Sequence, residues 1–109
     1  MGKPRLSYSA TAILQAVANE FEYGFDIMDV TGLPSGTVYP ALRRLEDAGL
    51  VASKWERQQI AQRELRPPRK YYEMTSDGSA ALADAVKRYK LLEKPRAHAR
   101  AVQPVRERG

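Results

Sequence analysis

Apolar residues recur at helical spacing in the first half of this 109-residue chain. Between residues 8 and 21 they fall at intervals of three and four, which predicts a first helix with one apolar face. Ser7 or Ser9 has the side chain needed to cap the start of this helix. A short second helix is predicted over residues 25–30, and Gly32 is expected to end it, because glycine readily takes the left-handed backbone conformation.

A third helix is predicted to end at Gly49. Ser35 or Thr37 is its expected N-cap, because a hydroxyl side chain accepts a hydrogen bond from the free amides of the first turn. Pro40 is then expected within about the first turn, where its missing amide costs least. The expected buried face comprises Val38, Leu42 and Leu45. At ~100° per residue, the opposite face comprises Gly36, Thr37, Tyr39, Pro40, Arg43, Arg44 and Asp47.

The pattern then changes from helical to extended. Residues 50–56 begin with apolar side chains and suit a strand, and residues 69–75 read as the returning strand. Residues 57–68 show no firm period and end in two prolines, so a loop is predicted there. Trp55 is expected to be a packing anchor at the base of this hairpin, with a ligand platform as the alternative. Because side chains alternate across a strand, one of Tyr71 and Tyr72 is expected in the core and the other on the surface.

A last helix is predicted from about Asp77 to Leu92, with Thr75 or Ser76 as its N-cap. Helix, strand, basic loop and returning strand follow in the order of a winged helix-turn-helix. The expected fold class is therefore α+β, mainly α, with three helices, a two-stranded wing and a C-terminal dimerisation helix. The predicted parts are a mobile N-terminal arm, the winged helix-turn-helix domain, the dimerisation helix and a basic disordered tail, at residues 1–7, 8–75, 76–94 and 95–109.

Positive charge is concentrated in two segments. Residues 57–70 and residues 94–109 each have a net charge of +4, whereas the rest of the chain has −3, for a total of +5. Basic loops and tails are often only solvated, but this asymmetry also fits a polyanionic partner. Double-stranded DNA is the partner that the predicted fold favours.

Composition narrows the class of protein. The chain has no cysteine, and its single histidine, His98, lies in the predicted tail without ligand partners. No metal, no cofactor and no enzymatic activity are therefore expected. No apolar run approaches the ~20 residues of a membrane span, so no membrane contact and a cytoplasmic location are expected.

A helix enters the major groove of DNA with a polar and sterically lean outer face. The third helix meets that requirement, and the basic loop is expected along the neighbouring backbone or minor groove, where its cations neutralise phosphates. Tyr39 has an alternative role in packing against the first helix, and Arg43 and Arg44 have one in pairing with Glu46 or Asp47. The expected DNA-binding residues are Ser35, Gly36, Thr37, Tyr39, Pro40, Arg43, Arg44, Arg57, Arg63, Arg66, Arg69 and Lys70.

Two motifs carry a resemblance to a known family. The first is Gly-Thr-Val-Tyr-Pro-Ala-Leu-Arg-Arg-Leu-Glu-Asp-Ala-Gly-Leu-Val at residues 36–51, and the second is Pro-Arg-Lys-Tyr-Tyr-Glu-Met-Thr-Ser-Asp-Gly at residues 68–78. With Trp55 and the Tyr-Gly-Phe of residues 23–25, they resemble PadR-type transcriptional regulators over roughly residues 12–92.

The resemblance implies a winged-helix homodimer, usually a repressor, that binds a palindromic operator. The helix after the wing usually supplies the dimer contact in this family, and some members release DNA when a small aromatic or drug-like effector binds. The last helix is modest here and has no tryptophan, so DNA binding carries over better than ligand sensing. The dimer residues implied in this chain are Leu82, Val86, Tyr89 and Leu92.

Two other functions compete with a sequence-specific regulator. A winged helix can serve as a protein–protein adaptor, which predicts a neutral or apolar outer face on the third helix. A nonspecific nucleoid-type DNA binder would instead owe its affinity to the basic tail, and it would bind operator and random DNA equally.

Overall fold

Five helices and one antiparallel sheet make up residues 5–89, the part of the chain that the computed structural model describes. The sheet has two strands, and we call residues 51–74, which contain both of them, the wing. This arrangement confirms the predicted mainly α winged helix-turn-helix. The elements in chain order are α1 (Tyr8–Ala18), α2 (Gly24–Thr31), α3 (Ser35–Asp47), β1 (Val51–Trp55), α4 (Gln58–Arg63), β2 (Lys70–Met74) and α5 (Ser76–Arg88).

The core lies among α1, α2 and α3, and the two strands close it on one side. Each apolar side chain that is fully buried there stabilises the fold by roughly 1.5–3 kcal/mol. The predicted buried face of the third helix is confirmed, and Tyr72 of β2 reaches the same cluster. The core comprises Ile13, Leu14, Ala16, Val17, Ile27, Val38, Ala41, Leu42, Leu45, Leu50, Val51 and Tyr72.

Two of the predicted helix caps are confirmed and one is wrong. The Ser7 hydroxyl accepts a hydrogen bond from the Ala10 amide at 3.0 Å, and Thr75 caps α5 in the same way. In α3, however, the N-cap is Pro34, which has no side chain able to accept a hydrogen bond. Ser35 and Thr37 are already helical, so the prediction that one of them caps α3 was wrong.

Pro40 is the sixth residue of α3 and not a residue of its first turn. The prediction placed it too early because α3 begins at Ser35 itself, whereas an N-cap at Ser35 or Thr37 would start the helix one or three residues later. A proline at this position has no amide to donate to the carbonyl four residues back, which here belongs to Gly36. The helix therefore keeps an acceptor without its usual helical partner close to its exposed start.

Among the described helices, α1, α3 and α4 end in the same hydrogen-bonded turn, a Schellman motif. In α3 the Leu50 amide donates to the Leu45 carbonyl and the Gly49 amide donates to Glu46, both at 2.9 Å. Gly49 has φ 80°, which confirms it as the residue that ends the helix. Glu20 takes the equivalent position after α1 with φ 70°, so α1 ends at Ala18 and not at the predicted residue 21.

The wing contains a helix that the sequence pattern did not predict. The strands pair from Val51 opposite Met74 to Trp55 opposite Lys70, one residue shorter at each end than predicted. Residues 57–68, predicted to be a loop, include α4 with its buried Ala61. Because α4 is only six residues long, it completes less than two turns and leaves no readable period.

The aromatic residues of the wing were predicted correctly at one position and wrongly at another. Tyr72 is buried and Tyr71 is half-buried, which agrees with one core and one surface position. Trp55 retains 64% of its accessible surface, so the prediction that it anchors the base of the hairpin was wrong. As the last residue of β1, Trp55 lies beyond the part of the sheet that covers the core.

Helix α5 is joined to the body of the domain at both ends. The Thr75 hydroxyl shares its proton between the Gly49 and Leu50 carbonyls, at 2.8 and 2.9 Å. A β-carbon at Gly78 would collide with the Leu50 carbonyl oxygen, so only glycine allows this close approach. At the other end, the Tyr89 hydroxyl donates to a carbonyl of the N-terminal segment at 3.0 Å.

Some of the predicted features lie outside the described residues. Helix α5 ends at Arg88, before the predicted end at Leu92, and Leu92 itself is not among residues 5–89. The basic tail and most of the predicted N-terminal arm also lie outside that range.

Candidate nucleic-acid interface

The outer face of α3 is polar and open, as predicted. Its exposed residues are Ser35, Gly36, Tyr39, Pro40, Arg43, Arg44 and Asp47, while Thr37 is half-buried. All the predicted binding residues of the third helix therefore lie together on one element, and each has access to solvent. Such a face has no part in the core, so its residue types are free to serve binding.

The start of α3 has the features of an anion site. The first amides of any helix have no helical acceptor, and here no side chain caps them. The helix dipole adds a partial positive charge at the same point. Because Ser35 and Gly36 are exposed and small, a phosphate oxygen can approach these amides closely.

Arg43 and Arg44 are adjacent in sequence but line different concave surfaces. Arg43 lies in a cleft shared with the wing, whereas Arg44 lines a separate pocket together with Arg5. The alternative in which they pair with Glu46 or Asp47 was wrong, since among residues 5–89 neither arginine forms an ion pair. Both guanidinium groups therefore keep their hydrogen-bond donors for another molecule.

The cleft between α2, α3 and the wing has a volume of about 1200 Å³. Sequence reasoning missed most of its aromatic lining, although the Tyr-Gly-Phe motif was a signal for part of it. Phe25 retains 73% of its accessible surface, which is unusual for a phenylalanine without a partner. The cleft is lined by Tyr23, Gly24, Phe25, Asp26, Tyr39, Arg43, Glu46, Asp47, Trp55, Arg69, Lys70 and Tyr72.

Tyr39 packs against the start of α2. A β-carbon at Gly24 would collide with the Tyr39 ring, which explains the glycine in the Tyr-Gly-Phe motif. The ring is still 46% exposed. Tyr39 therefore joins α2 to α3 and also forms part of the cleft.

Strand β2 of the wing is joined to the segment that precedes α2. The Tyr72 amide donates to the Glu22 carbonyl at 2.9 Å, and Tyr23 forms a bridge with Tyr71. The Arg69 guanidinium lies over the Tyr23 ring, 4.8 Å from its centroid, in a cation–π contact. These contacts hold Arg69 of the wing beside the outer face of α3.

The predicted wing cations fall into two groups. Arg57, Arg63 and Arg69 are exposed. Lys70 is half-buried, and its Nζ lies 3.8 Å from a Glu46 carboxylate oxygen, so it is partly neutralised within the protein. The first group is thus more available than Lys70 to an anionic ligand.

Arg66 differs from the other wing arginines because its donors are already used. Its Nη1 donates to Glu56 Oε1 at 2.6 Å, and its Nη2 donates to Glu56 Oε2 at 2.9 Å. The Glu56 side chain retains only 7% of its accessible surface. The hydrogen bond from Arg66, with a second from the Arg69 amide, lowers the pKa of Glu56 from 4.5 to about 2. We call this contact the Glu56–Arg66 ion pair.

Two other kinds of feature, a metal site and a membrane-spanning helix, are not found among the described residues. Within residues 5–89, no cluster of three histidine, cysteine, aspartate or glutamate side chains is arranged to hold a metal ion. In the same range, none of the helices has the length and apolar character required to cross a membrane.

An exposed recognition-type helix beside a basic two-stranded wing defines a winged-helix protein of the DNA-binding class. The model of the PadR-like family of transcriptional regulators matches residues 13–84. The chain therefore belongs to the PadR-like family, whose members regulate transcription by binding DNA.

Solved structures of PadR-type regulators share this fold. A PadR-like transcription factor from Bacteroides fragilis is 29% identical, with a TM-score of 0.61 over 82% of this chain and 86% of that chain. A PadR family regulator from Clostridium difficile R20291 is 24% identical, with a TM-score of 0.65 over 84% and 97%. A comparison with curated proteins gives no match.

A third solved structure is that of BpsR from Bordetella bronchiseptica, whose DNA binding is regulated by 6-hydroxynicotinic acid. It is 17% identical to this chain, with a TM-score of 0.65 over 86% of this chain and 67% of that chain. At this identity the likeness concerns the fold alone.

Proposed function

We propose that this protein is a sequence-specific transcriptional regulator, most simply a repressor, that acts in the cytoplasm as a homodimer on a palindromic operator. One observation carries the proposal. Arg43 lies on the outer face of α3 without an ion pair among residues 5–89, and it lines the same cleft as Arg69 of the wing. A protein–protein adaptor would not need this concentration of available guanidinium groups.

The residues of α3 divide between positioning and reading. The free amides at Ser35 and Gly36 hold a phosphate at the helix start, and the Tyr39 hydroxyl donates to a second. Thr37, whose amide donates to the Pro34 carbonyl at 2.9 Å, offers its hydroxyl beside them. Pro40 adds little bulk on the same face. Arg43 reads a guanine edge in the major groove, while Arg44, on the other side of α3, contacts the backbone.

The wing supplies affinity that does not depend on sequence. Arg57, Arg63 and Arg69 neutralise phosphates, and each such contact adds to the salt dependence of binding. Lys70 contributes less, because Glu46 already lies near it. Arg66 is a weaker candidate than the sequence suggested, since both of its terminal nitrogens donate to Glu56.

A homodimer is supported by an apolar groove on α1. The groove has a volume of about 460 Å³ and includes Tyr8, Phe21 and Val30, all partly exposed. In the proposed dimer it receives the last helix of the partner subunit. The proposed contact residues remain Leu82, Val86, Tyr89 and Leu92.

Within one chain, part of this set is already engaged. Leu82 packs against the core, and the Tyr89 ring meets the Tyr8 ring edge-on at a centroid distance of 5.3 Å. Tyr89 therefore orders the edge of the α1 groove in addition to any contact across the dimer. In such a dimer the two α3 helices would lie about one DNA turn apart, roughly 34 Å.

A small-molecule effector is a second part of the proposal. It is supported by the regulation of BpsR by 6-hydroxynicotinic acid and by the aromatic lining of the cleft. A planar aromatic acid in this cleft would occupy the space between α3 and the wing. It would then compete with DNA for Arg43 and Arg69.

The function is tested with DNA from upstream of the protein's own gene and with shuffled DNA of the same composition. We expect saturable binding to the upstream fragment alone. Sedimentation of the complex should show two protein chains bound to each pair of half-sites. Equal binding to both fragments, collapsing as salt rises, would identify a nonspecific binder. Absence of binding to either fragment would favour the adaptor function.

A further inference from the structure

Leu65 stands out in the turn that follows α4. It retains 91% of its accessible surface, which is the largest fraction among the exposed large apolar residues of residues 5–89. Its backbone has φ 57°, in the left-handed region that a bulky side chain rarely adopts. Two unfavourable features therefore coincide at one residue of the wing.

Folding stability does not explain a leucine at this position. The Arg66 amide donates to the Ala61 carbonyl and the Leu65 amide to Gln62, both at 3.1 Å, which makes the turn a Schellman motif. Leu65 occupies the position where glycine is preferred, and Gly49 fills the equivalent position after α3. The apolar contact of such a motif involves the next residue, Arg66, so the leucine side chain gains nothing locally.

The turn is held in place from both sides. On one side it continues from the last turn of α4, and on the other it leads to Arg66, which donates two hydrogen bonds to Glu56. The Arg69 amide donates to the same carboxylate at 3.2 Å. Leu65 is thus presented to solvent by a turn whose neighbours are fixed, and not by a free loop.

The surroundings of Leu65 are cationic. Arg57 and Arg63 are exposed at the two ends of α4, in the segment of residues 57–70, whose net charge is +4 with the exposed Glu64 included. Arginine also occurs in interfaces with other proteins, but those interfaces are built around a larger apolar core than one leucine side chain. A minor groove has anionic edges and an apolar floor and sugar walls, which matches one exposed leucine among arginines. Leucine is one of the side chains that proteins insert into that groove.

We propose that Leu65 is an apolar contact of the wing with the DNA minor groove, placed there by the Glu56–Arg66 ion pair. The proposal rests on the DNA-binding function proposed above and adds a contact that charge alone would not identify. Arg57 and Arg63 contact the phosphates, and the leucine side chain lies against the sugar and base edges between those phosphates. Affinity then depends partly on how easily the DNA opens at that step.

The test compares Leu65→Asn and Leu65→Met by titration with the upstream fragment across a salt series. Asparagine accepts the left-handed conformation but is polar, whereas methionine keeps an apolar side chain. We expect Leu65→Asn to lose roughly tenfold in affinity and Leu65→Met to keep most of it. The slope of affinity against salt should not change for either variant, because no charge is removed.

The matched control is Glu20→Asn, which makes the same backbone-compatible change at the end of α1, outside the wing. Both asparagine variants should keep or raise the unfolding temperature, and Glu20→Asn should not lose affinity. If Leu65→Asn binds the upstream fragment as tightly as the wild type, Leu65 does not contact DNA and the inference is wrong. If the wild type itself binds no DNA, the failure belongs to the proposed function.

Discussion

Neighbouring side chains on α3 can serve different surfaces. Arg43 and Arg44 have the same charge and similar exposure, yet only Arg43 lies in the cleft with the wing cations. The spacing of ~100° per residue is enough to turn them toward different sides of the helix. Sequence reasoning placed both among the DNA-binding residues without distinguishing their roles, because it could not locate the wing relative to α3.

This difference leads to a prediction about base reading. Arg43→Ala should weaken binding to the upstream fragment by about tenfold to a hundredfold, as expected for the loss of a bidentate guanine contact. Binding to shuffled DNA should weaken much less. Arg44→Ala is the matched control, since it removes an equal charge from the other side of α3 and should weaken binding to both DNAs alike. Equal losses on both DNAs for Arg43→Ala would reject its reading role.

The wing illustrates which elements the sequence could and could not predict. Its strands were predicted to within a residue at each end, because apolar and aromatic side chains fill them. Helix α4 was missed because six residues do not produce a period. The Glu56–Arg66 ion pair was also missed, since it joins residues ten apart through a turn that the prediction treated as a loop.

The low pKa of Glu56 gives the wing a defined response to pH. The folded-state pKa, about 2, lies below the ordinary value of 4.5, so the carboxylate stabilises the fold above about pH 4.5. That contribution is lost as the pH falls from 4.5 toward 2. The difference in unfolding free energy between the wild type and Glu56→Gln should therefore be constant near neutral pH and shrink across this window.

Denaturant unfolding at a series of pH values measures this difference. Glu73→Gln is the control on the same hairpin, because Glu73 pairs with Lys54 and both side chains are about half exposed. Exposed pairs of this kind contribute roughly 0–1 kcal/mol. If Glu56→Gln behaved like Glu73→Gln at every pH, the Glu56–Arg66 ion pair would have no special part in holding the wing.

In the molecule as a whole, the surface proposed for DNA binding and the surface proposed for the dimer differ in character. The cleft between α3 and the wing contains Arg43 and Arg69 beside aromatic and acidic side chains, while the groove on α1 is mostly apolar. Helical periodicity predicted α1 and α3 because each buries a continuous apolar face, such as Val38, Leu42 and Leu45 in α3. It could not predict the exposed state of Trp55, since exposure depends on where a strand extends past the core.

The surface of the proposed dimer was still harder to predict from the sequence. The apolar stripe of the last helix, with Leu82 and Tyr89, reads the same whether it packs on its own α1 or on a partner subunit. The structure assigns part of it to the chain's own α1 and N-terminal segment. Periodicity identifies an apolar face but not the surface that covers it.

The most direct measurement is amide chemical-shift mapping by NMR as the full chain is titrated with the upstream fragment. We predict the largest changes at Ser35 and Gly36, at the start of α3, with further changes at Arg43 and in the turn at Leu65. The α1 amide of Ala12, in the apolar groove, should change little. Changes confined to α1 and α5, with the start of α3 unaffected, would contradict the account of α3 and the wing as the DNA-binding surface.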